Sequence, residues 1–119
     1  MQLLIADDQT EVRSALRFSL EQSFPELTIA DVSQAAELDA SLSNPDLKLV
    51  LLDWELPGMQ DSRLLDRLLH GFKTIVLSAT PTNRQRALTL GACDFVCKSD
   101  PPETILQAVG RLVPVAGIL

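Results

Sequence analysis

The stretch Lys48-Leu-Val-Leu-Leu-Asp53-Trp-Glu-Leu-Pro-Gly58 decides the fold. The apolar run from Leu49 to Leu52 is too short for a buried helix and matches a strand covered on both faces, the usual state of a parallel strand inside an α/β sheet. Asp53 ends that run, and Pro57 and Gly58 turn the chain away directly afterwards. The carboxylate is therefore expected at the carboxyl edge of a central strand, open to solvent in a loop crevice, where sheets of this kind keep their ligands.

Toward the N-terminus, Leu3-Leu-Ile-Ala6 is a second short apolar run, and it also stops at acids, Asp7 and Asp8. Val12, Ala15, Leu16, Ser19 and Leu20 then recur at helical spacing, and Pro25 closes that helix. Leu27 to Val32 has strand composition, and Ser33 is placed to cap a short helix that turns Ala35, Leu38 and Leu42 inward. Asn44-Pro45-Asp46 leads into the central strand. Beyond it, Leu64, Leu65, Leu68 and Leu69 mark one face of a third helix ended by Gly71, and Thr74 to Leu77 is a fourth strand ending at Ser78.

Thr80 and Pro81 suit the N-cap and first position of a fourth helix. Its apolar stripe is thin, with Ala87, Leu88 and Leu90 beside Arg84 and Arg86, so it is expected to be the most loosely held. Gly91 ends it. Asp94 to Cys97 is a fifth strand followed by Lys98, and Asp100-Pro-Pro-Glu103 reads as a helix start with an acid pair resembling a capping box. Ile105, Leu106, Val109, Leu112 and Val113 then face inward.

Strands and helices that alternate in this way imply a parallel sheet with helices on both sides, a three-layer sandwich of (βα)5 type. Right-handed crossovers leave few arrangements, and the flavodoxin-like order 2-1-3-4-5 sets the first and third strands side by side, so that Asp7, Asp8 and Asp53 converge at the switch point of the sheet. Residues 1–113 read as one domain. The apolar segment from 114 to 119 reads as the start of a linker or a C-terminal tail.

Composition narrows the function. The 119 residues carry 46% hydrophobic side chains and a formal charge of −6, one core's worth of chain with no cationic surplus for gripping nucleic acid or an anionic membrane. No apolar run approaches the roughly 20 residues that a membrane span needs, and no charged leader precedes a cleavable segment, so the sequence reads as cytoplasmic. Cys93 and Cys97 would lie about 13 Å apart along an extended strand, too far to bridge. With His70 the single histidine there is no zinc ligand set, and the two thiols read as small core residues.

Three carboxylates gathered at one rim repel one another and raise each other's pKa unless a cation joins them. Mg²⁺ suits such a set, because it prefers hard oxygen ligands and is typically held by one or two carboxylates, waters and a phosphate oxygen. Lys98 and Ser78, at the ends of the neighbouring strands, add a fixed cation and a hydroxyl. The array suits a phosphoryl group carried on a carboxylate. Taken singly, Asp7 and Asp8 could merely favour the positive end of the first helix; Lys98 could be a solvated lysine, Ser78 a strand cap and Phe95 ordinary core. Trp54, beside Asp53, reads as a partly exposed neighbour.

Asp7-Asp8, Asp53, Ser78-Ala79, Phe95 and Lys98, in this order and at these strand ends, resemble the receiver domain of bacterial two-component response regulators over essentially the whole chain. The resemblance implies that Asp53 accepts a phosphoryl group from a sensor histidine kinase, that Asp7, Asp8, Asp53 and the backbone carbonyl of Glu55 hold Mg²⁺, and that Lys98 pairs with the phosphoryl group. Ser78 would move to hydrogen-bond it, small Ala79 would leave room for it, and Phe95 would turn inward once the hydroxyl has moved. The loop after the fourth strand and the face built from the fourth helix, fifth strand and fifth helix would then settle into a second arrangement.

Glu55 and Thr80 occupy places that tune phosphoryl lifetime in that family. Ser99 stands where many receivers carry proline; a cis Lys98-Ser99 bond would cost roughly 2.5 to 4 kcal/mol without proline, so a trans bond is expected. The Lys98-Ser-Asp-Pro-Pro-Glu103 run and the trailing Gly117-Ile-Leu119 resemble LuxR/NarL-type regulators, which implies a transcription regulator with a separate DNA-binding output domain and a homodimer on phosphorylation as a further partner; the charge and hydropathy already argue against membrane contact. On this reading the chain is a self-directed phosphoacceptor rather than an enzyme. The alternatives are a receiver-like interaction module that does not use phosphate and an aspartate-nucleophile phosphatase of the haloacid dehalogenase type, for which Glu55 stands where a second aspartate is normally needed.

Overall fold

The computed structural model describes residues 1–59 and 62–113; the tail at 114–119 lies outside the described residues. The strands are β1 (Gln2–Ala6), β2 (Thr28–Val32), β3 (Leu47–Asp53), β4 (Lys73–Ser78) and β5 (Asp94–Cys97). They alternate with α1 (Thr10–Ser23), α2 (Ala35–Ser41), α3 (Ser62–Gly71), α4 (Arg84–Leu90) and α5 (Pro102–Leu112), and a 3-10 turn, Pro81–Asn83, leads into α4. All pairings are parallel and the order is β2-β1-β3-β4-β5, the flavodoxin-like order expected.

The period of two along each strand splits the core in two. Leu3, Ile5, Leu49, Leu51, Ile75, Leu77 and Val96 point to one face and pack with Leu20 of α1 and Val109 of α5. Leu4, Ala6, Val50, Leu52, Val76 and Phe95 point to the other, against Leu38 of α2, Leu64 and Leu68 of α3 and Ala87 of α4. From Leu49 to Asp53 every residue of β3 is buried, so the uninterrupted apolar run has helices on both sides. Each apolar side chain from Leu49 to Leu52 contributes roughly 1.5–3 kcal/mol by leaving water.

Register then sets the rim. Ala6 pairs with Leu52, Asp53 with Leu77, and Ser78 with Cys97, so Asp7, Asp53, Ser78 and Lys98 reach the same edge from adjacent strands. Main-chain bonds continue past the strand ends: Asp7 N–H donates to Val32 O, Trp54 N–H to Leu77 O and Lys98 N–H to Ser78 O. The Pro-Gly turn after Asp53 closes tightly. Gly58 has φ of +89°, and a Cβ there would meet the Ala35 Cβ at 2.9 Å, so both the conformation and the space call for glycine.

Several local expectations are corrected. Ser33 does not cap a backbone N–H of α2; its hydroxyl and its own N–H both donate to the Glu37 carboxylate. Asp100 does not cap α5 but folds back to accept the Cys97 N–H, leaving Pro101 at the N-cap. The cysteines are not core thiols: Cys93 is exposed just ahead of β5 and Cys97 is half-buried at its end. Ala15 is exposed and Leu16 only half-buried, because α1 meets the sheet chiefly through Leu20. No described peptide bond is cis, including Lys98-Ser99. Among the described residues no helix is long and apolar enough to cross a membrane.

Candidate functional site

Asp7, Asp8 and Asp53 come together as expected, with one carboxylate oxygen from each lying within 4.8 Å of the others. The environments of the three differ. Asp8 is exposed, whereas Asp7 is wholly buried and Asp53 is 2% exposed. The expectation of an Asp53 open to solvent is thus corrected: Lys98 and Asp7 close over it.

The two buried acids are held in the same way. One oxygen of each accepts the backbone N–H two residues on, Gln9 N–H to Asp7 Oδ1 at 2.8 Å and Glu55 N–H to Asp53 Oδ1 at 3.0 Å. This is the local turn that aspartate favours at the end of a regular segment. The other oxygen of each faces Lys98, whose Nζ lies 2.9 Å from Asp7 Oδ2 and 3.3 Å from Asp53 Oδ2. The Gln9 amide oxygen steadies the same ammonium at 3.5 Å. Arg13 adds a fixed donor behind the site, giving a hydrogen bond to the Asp7 main-chain carbonyl at 2.7 Å.

Burial pushes the Asp53 carboxyl up to about 6. The Glu55 N–H pulls it down, the Glu55 side chain and the Asp7 charge push it further up, and Lys98 pulls it down; the balance remains with burial. Burial alone would lower the Lys98 ammonium, but the hydrogen bond and charge of Asp7, together with Asp53, outweigh it and hold the group above its ordinary value. A second cation among these oxygens would favour the ionised form of Asp53 in the same sense. The donor set is all hard oxygen, with no thiolate or imidazole within it, and so fits Mg²⁺ rather than a softer metal.

Ser78 is wholly buried at the end of β4, and its hydroxyl donates to the Glu55 carboxylate at 2.8 Å. Its oxygen receives the Thr80 N–H at 3.1 Å and the Asn83 amide at 3.2 Å. Ala79 is exposed beside it. Phe95 is already turned inward against the same cluster as Ala87, 5% exposed, while the Ser78 hydroxyl is still on Glu55, so in this arrangement it has not waited for that hydroxyl to move. Trp54 is half-buried, as expected of a neighbour of Asp53.

The sequence reading missed Gln9, Arg13 and Asn83, and it gave the Glu55 side chain no partner. For Gln9 the signal was its place two residues after Asp7, where its N–H must meet that carboxylate if the strand ends there. The contact between Glu55 and Ser78 joins residues 23 apart and depends on how two loops face each other. No pattern along the chain encodes it.

The family described as response regulator receiver domain matches residues 3–110. The glycerol metabolism activator of Pseudomonas putida is 32% identical over 120 residues, covering 93% of this chain and 53% of that protein. The phosphate regulon transcriptional regulatory protein PhoB of Pseudomonas aeruginosa is also 32% identical over 120 residues, covering 95% of this chain and 50% of that protein. The chain therefore spans about half the length of these relatives. Among solved structures, a CheY-like response regulator receiver domain protein of Methanospirillum hungatei superposes with a TM-score of 0.75 at 29% identity, covering 93% of this chain and 91% of that one.

Proposed function

Because the chain belongs to the response regulator receiver domain family of two-component systems, we propose that Asp53 is its phosphoacceptor and that Asp7, Asp8, Asp53 and the Glu55 carbonyl hold Mg²⁺ beside it. One observation carries this reading: carboxylate oxygens of Asp7, Asp8 and Asp53 within 4.8 Å of one another at adjacent strand ends, with one ammonium shared between the two that are buried. Buried acids this close are tolerable only where cations offset them, and the same cations offset the charge of an aspartyl phosphate.

In the proposed transfer an Asp53 carboxylate oxygen attacks the phosphorus of a phosphohistidine on the kinase. The O–P bond forms, the P–N bond breaks, and its electron pair returns to the imidazole. The Glu55 N–H, already on Asp53 Oδ1, orients the carboxylate, and Lys98 Nζ lies at Asp53 Oδ2, where it can follow the incoming oxygens. Bound among the acids, Mg²⁺ supplies further positive charge at the phosphoryl oxygens. Ser78 then shifts to the phosphoryl group, with Ala79 small enough to leave space and Phe95 packed behind it, and the α4 side of the domain rearranges.

The domain is proposed to end at 113, with 114–119 as the start of a linker to an output domain or a C-terminal tail. That the output controls transcription follows the name of the PhoB relative, a transcriptional regulatory protein, and a DNA-binding output of LuxR/NarL type follows the resemblance of the Lys98 to Glu103 run and the trailing Gly117-Ile-Leu119. A sensor histidine kinase as donor, a homodimer on phosphorylation and a cytoplasmic setting belong to the same proposal, as does the absence of turnover on a separate metabolite.

Trp54, the single tryptophan, adjoins the site and reports on it. Addition of Mg²⁺ should change its fluorescence, subsequent beryllofluoride or acetyl phosphate should change it again, and Asp53→Asn should abolish the second response. Hydrolysis of a phosphomonoester would point instead to a phosphatase. A chain silent to every addition would point to a module that does not use phosphate.

A further inference from the structure

A serine hydroxyl has one proton to give and two lone pairs to fill, and buried Ser78 uses all three. Its proton goes to Glu55, while Thr80 N–H and Asn83 Nδ2 donate to its oxygen. Glu55 takes the only proton the hydroxyl has, so Asn83 must turn its nitrogen inward, and the network itself fixes the orientation of that amide. Three segments meet on one oxygen atom: the loop after β3, the loop after β4 and the 3-10 turn that starts α4.

We propose that the Glu55 carboxylate and the Asn83 amide form a latch on the Ser78 hydroxyl, which a phosphoryl group on Asp53 must displace before Ser78 can reach it. The inference rests on the phosphoacceptor reading above. Glu55 is a positioning residue on two counts, since its N–H holds Asp53 Oδ1 and its side chain holds Ser78. The carboxylate of Glu55 and the phosphoryl oxygens therefore compete for a single hydroxyl proton, and no covalent bond changes as one acceptor replaces the other. When the oxygen moves, the Asn83 contact breaks, and the turn at Pro81–Asn83 loses a tie to the end of β4. Asn83 thus sets how much resistance the switch offers and couples its release to the start of α4.

The test is a beryllofluoride titration in saturating Mg²⁺, read by Trp54 fluorescence, on the wild type, Asn83→Ala, Ser78→Ala and the double variant. Loss of one hydrogen bond from the resting arrangement should lower the half-saturating beryllofluoride concentration of Asn83→Ala by about two- to tenfold. In the Ser78→Ala background the same substitution should do nothing, because the atom it held is gone. A purely structural Asn83 would shift both backgrounds alike, and that result, or an unchanged or weaker response in Asn83→Ala, overturns the latch while leaving the phosphoacceptor reading in place. A wild type that does not respond to beryllofluoride overturns both. Amide exchange at Thr80 gives an independent reading: it should quicken in Asn83→Ala, and unchanged protection counts against the latch.

Discussion

The two flanks of the carboxyl edge are built to different standards. On the acid side, β1 and β3 lie inside the sheet with every apolar side chain from Leu3 to Ala6 and from Leu49 to Leu52 buried. There α1 is clamped to β2 by Arg17, which donates to Asp31 Oδ2 at 2.6 Å and to Ile29 O at 2.8 Å, and by Arg13, 3.4 Å from Asp31 Oδ1. On the switch side, α4 spans residues 84–90, buries Ala87 alone, and reaches β5 with one long side chain, Arg84 Nη1 donating to Phe95 O at 3.2 Å. Chemistry that needs fixed distances sits on the rigid flank, while the segment that must take up a second arrangement is drawn from the less stable one.

The contrast is broken most directly by truncating matched leucines. Leu51→Ala, in wholly buried β3, should cost about 2–5 kcal/mol in urea unfolding, whereas Leu88→Ala, half-buried on α4, should cost about 1 kcal/mol or less. Equal losses would mean that α4 is as firmly built into the core as β3.

A second measurement sharpens the electrostatic side. The folded Asp53 carboxyl titrates near 6, against an ordinary value of 3.8, so between those values the folded chain holds a proton that the unfolded chain has released. Stability must therefore fall as pH rises from about 4 through 6 and stay reduced above that. Asp53→Asn should remove this loss, on the order of 3 kcal/mol near neutral pH, and flatten that part of the profile in buffer without divalent ions. An unchanged slope in the variant would place the titrating group elsewhere.

The smallest effect is the most local. Arg84→Ala should leave global stability within about 0.5 kcal/mol, because the side chain is exposed and makes one bond to a main-chain oxygen. It should nevertheless speed amide exchange through residues 84–90, and equal protection in both proteins would deny α4 its loose attachment.

The split between what the sequence disclosed and what it withheld follows the range of the contacts. Leu49 to Leu52 ending in Asp53, and Leu3 to Ala6 ending in Asp7, could be read because a buried parallel strand leaves a continuous apolar run and strand ends share one edge. Lys98 and Ser78 were legible for the same reason, each following a strand directly. Hidden was everything that depends on one loop facing another: that Lys98 and Asp7 cover Asp53, that Glu55 receives the Ser78 proton, and that Asn83 reaches the same oxygen. Asp100 misled because its spacing to Glu103 suits a capping box, while the Cys97 N–H lay closer in the folded turn. Ala15 kept helical spacing with Val12 and Ser19 yet stayed exposed, because periodicity marks a face but not how deeply it is pressed against its neighbour.

Whether these acids ready Asp53 for a phosphoryl group can be read from intact mass and peptide mapping after incubation with acetyl phosphate and Mg²⁺. The protein should gain one phosphoryl group, confined to the peptide that carries Asp53, absent from Asp53→Asn and lost when Mg²⁺ is chelated beforehand. An unmodified wild type, or a phosphoryl group that persists in Asp53→Asn, would contradict that role for Asp53.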